Sequence, residues 1–556
     1  MIGRIFPIFD LLRQYRKENL RGDLSAGLTV AILLVPQGMA YAMLAGLPPV
    51  IGLYASTLPL IIYAAFGSSR HLAVGPVAMI SLLVFTACSK LAEPGSQQYV
   101  AHVLTLTLMV GVLQLAAGLL RLGFVANFFS HAVLSGFTSA AAIVICLSQL
   151  GHLLGVKLAS DRSAFGLLWD AIQKSRQANP ATLGIGLVSI AGLWLFKKKR
   201  PRFPAPILFV VAGTLLVYLV GLEKYGVRTI GNVPGGLPGL TVGAMDLASI
   251  RQLLPVSLAI FFVGYMESIS VAQYVADREK YEIAPNRELS GLGLANIVSS
   301  FFSGYPVTGG FSRTAVNYQA GARTGLASII TALLVILTLL TLTALFFHLP
   351  NTVLAAIIIV AVGGLIDARE ALRLFKLKSA DGWSLLVTFF CTLALGAERG
   401  ILIGVVFSLI LFIWRSAHPH IAELGYLEKD GVFRNINRFP EARTFPQALI
   451  LRIDASMYFA NLKFIEDKLR NCIADKPDLK WFVIDLSGVN DIDAVAIRTL
   501  EELMVSFGQR GISFIFCSMK GPVRDLVTKA GWERNYREQL KYPSIQHALQ
   551  AIGLSL

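Results

Sequence analysis

The stretch Pro306-Val-Thr-Gly-Gly-Phe-Ser-Arg-Thr-Ala-Val-Asn317 sets one arginine, Arg313, between long apolar runs, beside a glycine pair and hydroxyl residues. A cation at membrane depth costs about 2.5 kcal/mol or more, so it is paired, hydrated or used. Gly309 and Gly310 read as a break, and Phe311 as the start of a short helix. The free N–H groups of such a start point back at the break and favour an anion. Ser312 and Thr314 add hydroxyl donors, and Arg313 adds a full charge. The plain alternative is a kinked helix whose arginine snorkels to the membrane edge. His71-Leu-Ala-Val-Gly-Pro-Val-Ala-Met-Ile-Ser81 repeats the arrangement: an extended lead-in, a glycine, a proline, then a helix of small residues. Pro76 is read as the first helical residue, where a missing N–H costs nothing. Two interrupted apolar segments in corresponding halves mark the midplane site of a transporter, and facing helix starts call for a negative substrate.

Such segments need a bilayer and neighbouring helices around them. Of 556 residues, 55% are hydrophobic and 15% charged, and the mean hydropathy is +0.63. That excludes a soluble globular chain of ordinary make-up. A spanning helix takes about 20 apolar residues. Apolar runs fall near 24–43, 48–66, 74–91, 99–120, 129–153, 181–196 and 204–221, then near 252–276, 287–303, 309–320, 324–347, 351–366, 382–397 and 400–415. These are about fourteen segments in two sets of seven, the third of each set interrupted, as an inverted repeat requires.

Charge follows the same plan. With the N-terminus inside, the inner loops hold Arg70, Arg121, the basic run Lys197–Arg200, Arg278, Lys280, Arg369 and Arg373. The outer loops at 44–48 and 348–351 hold no lysine or arginine. The net charge of +15 is thus a positive-inside bias with anionic lipid headgroups as partners, and calls for no nucleic acid. An even number of spans puts both termini in the cytoplasm of a cell (inner) membrane. The five cysteines form no CxxC or zinc spacing, and neither a metal nor a cofactor is expected. His418-Pro-His420 is an HxH set in a linker. Met1 to Asp23 lacks a separate apolar signal region and reads as a cytoplasmic segment.

After His420 the pattern changes. Residues 448–454, 481–486 and 512–517 read as buried strands, and 460–473 and 493–509 as helices, which together make a small α/β domain. The expected division is 1–23 N-terminal segment, 24–416 transporter domain, 417–443 linker and 444–556 soluble domain. The chain contains no GxxxxGK[ST], so an ATP-driven pump is not expected.

Pro49-Val-Ile-Gly-Leu-Tyr-Ala-Ser56, followed by Gly67-Ser-Ser-Arg70, resembles the signature of the sulfate permease (SulP) anion transporters. Leu34-Val-Pro-Gln-Gly-Met-Ala-Tyr41, Ala73-Val-Gly-Pro-Val-Ala78 and Gly309-Gly-Phe-Ser-Arg-Thr314 are similar to its first, third and tenth helices. Val483-Ile-Asp-Leu-Ser-Gly-Val-Asn-Asp-Ile-Asp493 resembles its STAS domain. The resemblance implies fourteen helices in two inverted seven-helix repeats, forming core and gate domains of a homodimer, and secondary transport of anions. It also implies a substrate site between Gly75, Val77 and Ala78 on one side and Gly309, Gly310, Phe311, Ser312 and Arg313 on the other, lined by Gln37 and Tyr41. Gln37 and Tyr41 could instead be packing glue between spans.

Glu267 stands in the eighth span, where an ionised carboxylate must pair with a cation or take up a proton. Related transporters place a coupling-ion acid here, and the sodium-coupled kind adds a hydroxyl one turn later. This chain has Val271 there, although Ser268 and Ser270 are near, which favours a proton over sodium. A static Glu267–Arg313 ion pair is the other reading. Where STAS-like proteins carry a phosphorylatable serine after Asp491-Ile-Asp493, this chain has Ala494. The expectation is a proton-coupled symporter of a sulfate-type oxyanion or small dicarboxylate, and not an enzyme. A sodium-coupled bicarbonate symporter, an anion exchanger and a STAS-based anion-sensing signalling protein are the alternatives.

Overall fold

Two short strands, β1 (Val74–Gly75) and β2 (Thr308–Gly309), pair antiparallel at the point where two interrupted spans meet. They come from opposite halves of the sequence, and the helices fold around them. The computed structural model describes residues 15–124, 131–158, 164–200, 204–243, 246–474 and 476–554. These residues fall into two compact units, Met1–Ser408 and Leu409–Leu556.

The first half runs through α1 (Lys17–Leu44), α2 (Pro49–Tyr54), α3 (Leu58–Phe66), α4 (Ala78–Cys88), α5 (Gln97–Leu119), α6 (His131–Leu154), α7 (Ala164–Lys174), α8 (Pro180–Lys199) and α9 (Ala205–Val220). The second runs through α10 (Leu247–Glu279), α11 (Pro285–Phe301), α12 (Phe311–Gln319), α13 (Leu326–Thr341), α14 (Asn351–Val362), α15 (Ala368–Leu377), α16 (Ser379–Leu395) and α17 (Ala397–Ala417). Helix starts follow local chemistry. Ser96, Asn179 and Asp246 accept the N–H groups of Tyr99, Thr182 and Ser249, and Pro180 opens α8.

Eight described helical stretches are long and apolar enough to cross a membrane, and four shorter apolar helices add to them. The two remaining spans, α11 and α12, are the most polar, and α12 belongs to the broken segment around Arg313. The fourteen spans sort into two packed groups. In one, α11 lies on α5 and α3, and α13 lies on α1; in the other, α16 lies on α6, and α14 lies on α6 and α8. This is the core-and-gate division of a seven-plus-seven inverted repeat, and the antiparallel β1–β2 pair sits where the repeats cross. The helix α7 lies between the apolar runs 129–153 and 181–196, outside every expected span.

The second unit contains a five-stranded sheet in the order β4-β3-β5-β6-β7, from β3 (Ile421–Leu427), β4 (Val432–Asn435), β5 (Ala448–Ile453), β6 (Trp481–Asp485) and β7 (Ser513–Cys517). The β5, β6 and β7 strands run parallel, and β3 joins β4 and β5 antiparallel. The 417–443 stretch expected as a linker therefore supplies two strands, because its alternating buried residues Ala422 and Leu424 complete one face of the sheet. Helices α18 (Leu462–Ala474) and α19 (Ala494–Gly508) connect the parallel strands, and Phe482, Phe507, Phe514, Phe516 and Trp532 fill the core.

Candidate functional site

Strand pairing sets the geometry of the break. Gly75 has φ of +151°, a region that suits glycine, and the chain is still extended at Val77. Helix α4 consequently begins at Ala78 with Val77 as its cap, two residues later than the proline suggested. The other half matches: Gly310 caps α12, which begins at Phe311. The first N–H groups bonded within their helices are those of Ser81, to Val77 O, and Thr314, to Gly310 O. The preceding donors have no acceptor within their own helix.

The break is held from behind by polar side chains on neighbouring spans. Asn296 accepts the N–H of Val307 (2.7 Å) and donates to its carbonyl (3.0 Å), so it fixes the lead-in to β2. Ser268 accepts from Gly309 N–H (2.8 Å) and shares a 2.7 Å hydrogen bond with the Thr308 hydroxyl. Thr314 accepts from Ala73 N–H (3.0 Å), and Asn317 donates to His71 O (2.8 Å). The last two bonds tie the broken segments of the two halves together.

Arg313 lies across this frame and is 2% exposed, so it does not snorkel to water. Its Nη1 donates to Pro76 O, which reaches across to the other broken segment. Its Nε and Nη2 have no hydrogen-bond partner among the described residues. A Cβ on Gly310 would stand 3.0 Å from Nη2, and one on Gly75 would stand 3.3 Å away. The guanidinium thus occupies the notch that the two glycines leave. Tyr41, Glu267 and Tyr305 are its electrostatic neighbours.

Glu267 stands beside the opposite helix start, with the Phe311 backbone N–H as its electrostatic neighbour, while Oε2 is buried without a partner among the described residues. Among the described residues no ion pair within 4 Å joins Glu267 to Arg313, so the static-pair reading fails here. Val271 is buried, and the Ser268 hydroxyl is engaged by β2. Gln37 and Tyr41, on α1 beside Pro36, are 5% and 7% exposed. Neither has a side-chain hydrogen-bond partner among the described residues, which is not the behaviour of interhelical glue. Val77, Ala78, Gly309 and Gly310 are buried at the helix starts, and Phe311 and Ser312 are exposed beside them. Phe311 packs against Tyr274, with ring centroids 6.2 Å apart. The structure therefore gathers Tyr41, Glu267, Arg313 and both helix starts.

Sequence reasoning missed three features. Tyr305 is fully buried beside Arg313, with its hydroxyl 3.1 Å from Ser81 Oγ. Two further buried acids, Asp23 and Glu288, were overlooked beside Glu267. Glu288 lies inside a predicted span, so its charge was legible. In the soluble unit Asp493 caps α19 at Ala496 N–H (2.7 Å), and Ala494 is exposed at the first position of that helix. The two histidines of the HxH have separate partners: His418 Nδ1 lies 2.8 Å from Trp414 O, and His420 Nδ1 lies 2.8 Å from Asp454 Oδ2.

Known proteins are similar to this chain in sequence and fold. The Sulfate permease family matches residues 20–388, and the STAS domain matches residues 439–548. Sulfate transporter 4.1, chloroplastic, of Arabidopsis thaliana is 38% identical over 568 residues, covering 99% of this chain and 82% of that protein. The murine Solute Carrier 26 family member A9 anion transporter, in its inward-facing state, superposes with a TM-score of 0.91 at 25% identity, covering 99% of this chain and 94% of that one. The transmembrane domain of a cyanobacterium bicarbonate transporter, BicA, has the same fold, with a TM-score of 0.62 at 23% identity over 71% of this chain and 98% of that one.

Proposed function

The chain belongs to the sulfate permease family of multi-pass membrane anion transporters, and from that premise we propose that it carries a sulfate-class oxyanion in symport with a proton. One observation carries the reading. A fully buried guanidinium presents two unpartnered nitrogens in a notch between two facing helix starts, beside a carboxylate with an unpartnered oxygen. Buried polar groups are nearly always satisfied, so orphaned ones indicate a missing ligand. Donors on one side and a cation on the other suit a small anion. Gln37 and Ser312 supply further donors at the rim, and Tyr41 a wall with a hydroxyl. The relatives named as sulfate transporters support the sulfate class.

Coupling follows from where Glu267 lies. Its carboxylate lies beside the Phe311 N–H, a donor that the anion would use. A negative charge there opposes an incoming anion; protonation removes that charge and loosens the contact. Proton binding and anion binding then help each other, which is the thermodynamic content of symport. Sodium coupling lacks support, because Val271 offers no ligand and Ser268 is already engaged. In this reading the protein is a homodimer in a cell membrane, with both termini and the C-terminal STAS domain in the cytoplasm.

The deciding experiment is uptake of labelled sulfate, bicarbonate and succinate into proteoliposomes, with pH and sodium gradients imposed separately. Sulfate accumulation driven by an acid exterior supports the proposal. Accumulation of bicarbonate that follows sodium and ignores pH replaces it with the sodium-coupled alternative. Strict one-for-one exchange without either gradient replaces it with an exchanger. No transport of any anion would leave the STAS-based sensing reading in its place.

A further inference from the structure

Two short helices outside every expected span occupy matching places in the two halves of the chain. Helix α7 joins α6 to α8, the fifth and sixth spans of the first seven, and α15 joins α14 to α16, the fifth and sixth of the second seven. Both pack on the same two spans, α6 and α16, but at opposite ends. Helix α15 sits where those spans begin. His131 Nδ1, at the first residue of α6, lies 3.8 Å from Glu370 Oε1, and the Phe375 ring stands 5.9 Å from that of Trp383 in α16. Helix α7 sits where α6 ends. Lys174 donates to Lys157 O (2.8 Å), just past the last residue of α6, and the Asn179 N–H returns to Leu154 O (2.9 Å). The 24 residues of α6 cover about 36 Å, so the two short helices stand about one bilayer thickness apart.

Each helix packs one side on the protein and leaves apolar side chains open on another. In α7, Ala164, Leu167 and Ala171 are buried, whereas Phe165, Leu168, Trp169 and Ile172 are 42% to 65% exposed. Their spacing puts these four on one helix face. In α15, Leu374 and Phe375 are half-buried and Leu372 is 66% exposed, while Arg369, Arg373 and Lys376 form the polar side. Open apolar stripes of this size mark a contact surface. The span that both helices touch shows what covers them. Helix α16 carries exposed Trp383, Phe390 and Leu395 along its length, so lipid-facing surface reaches from the level of α15 to the far end. Trp169 and Trp383 stand near the two ends of this span pair, and indole rings favour the membrane–water boundary. A second copy would have to cover two stripes a bilayer apart, whereas a bilayer meets both.

We propose that α7 and α15 are paired interfacial anchors, whose apolar faces lie at the headgroup–acyl boundaries of the two leaflets and fix the depth of the α6–α16 pair. The partner is lipid, recognised by its apolar depth. The anchors act apart from the anion site, since neither helix supplies a residue to the notch at Arg313.

The test uses the full-length protein in phosphatidylcholine nanodiscs, with acyl chains unlabelled, brominated close to the headgroup, or brominated close to the methyl end. Native emission minus that of Trp169→Phe isolates Trp169 on α7. Emission of Leu372→Trp minus native isolates a probe on α15. Both difference signals should fall about twofold or more with the shallow bromines, and less with the deep ones. Phe165→Ser/Trp169→Ser should speed hydrogen exchange at α7 amides about fivefold or more in nanodiscs, with anion affinity unchanged. Exchange at native rates in that variant overturns the anchor, because the stripe then holds nothing. Difference emission that neither lipid quenches, or that the deep bromines quench more, overturns it as well. Quenching at one helix alone overturns the pairing. A Phe165→Cys chain that forms a disulfide with its copy, with Trp169 unquenched, assigns the stripe to a second copy and overturns the lipid partner.

Discussion

Two pairs of buried charges sit in the same membrane unit and are treated in opposite ways. Asp23 and Glu288 are each surrounded by four hydrogen-bond donors. Arg313 is nearly as deeply enclosed and Glu267 is partly buried with its Oε2 shut off from water, yet among the described residues two nitrogens of one and that oxygen of the other have no partner. Desolvation penalises all four, and only complete hydrogen bonding offsets it. The first pair are thus staples that fix loops. The second pair remain underbonded in a notch cut to size by Gly75 and Gly310, and this is what a site awaiting a ligand requires. Burial of a charge in a membrane protein does not by itself mark function; burial with an orphaned atom does.

That contrast predicts opposite phenotypes. Glu288→Ala should show the largest effect, on folding: four donors lose their acceptor, and disrupting such a buried network costs about 3–5 kcal/mol. The yield of folded protein and its thermal midpoint should fall sharply, while the surviving molecules retain anion affinity. A normal midpoint would show that Glu288 is not a staple. Arg313→Ala should do the reverse. Losing charge-assisted hydrogen bonds of about 1.5–3 kcal/mol each should weaken anion binding about tenfold to a hundredfold, with the midpoint unchanged. A binding isotherm equal to native would end the assignment of the notch.

A finer division falls within the second pair. With Glu267→Gln, the carboxamide resembles the protonated acid, so counterflow of anion between equal internal and external pools should persist. Uphill uptake driven by an acid exterior should disappear, because nothing titrates at that place. Retained acid-driven accumulation would show that Glu267 is not the coupling group, even if Arg313 holds the anion.

The sequence carried the span count, the two breaks and the sign of the substrate, because hydropathy, glycine and a lone arginine are local signals. Less of what surrounds them was legible. The start of α4 at Ala78 rather than Pro76 depends on β1 pairing with a strand more than two hundred residues away. Ser268 looked like a possible ion ligand, but its hydroxyl is taken by Gly309 N–H, a contact between spans. Asn296 and Tyr305 were visible as polar residues in or beside an apolar run, yet nothing local said that one would grip Val307 and the other would stand by Arg313. The 417–443 stretch was misjudged because its strands are short and their partner, β5, follows later.

The smallest effect belongs to a satisfied carboxylate outside the membrane. Asp454 accepts from Arg452 Nε (2.5 Å) and Nη2 (3.1 Å) and lies 2.8 Å from His420 Nδ1. Partial burial pushes its carboxyl upward, but the hydrogen bonds from Arg452 and His420 outweigh that and hold it below the usual range near 3.8. It has three such contacts against the four of Glu288, but water reaches it, and exposed pairs of this kind contribute about 1 kcal/mol or less. Asp454→Asn should therefore speed hydrogen exchange at β3 and β5 amides of the full-length chain by no more than about fivefold, after correction for intrinsic rates. The direction with pH is fixed by the depressed carboxyl. Its contribution is complete above about pH 4 and is lost as the pH falls through the lower, folded value. The native and variant proteins should thus differ at neutral pH and converge in acid. An effect as large as that of Glu288→Ala would mean that the number of donors, rather than exclusion of water, sets the worth of a satisfied carboxylate in this protein.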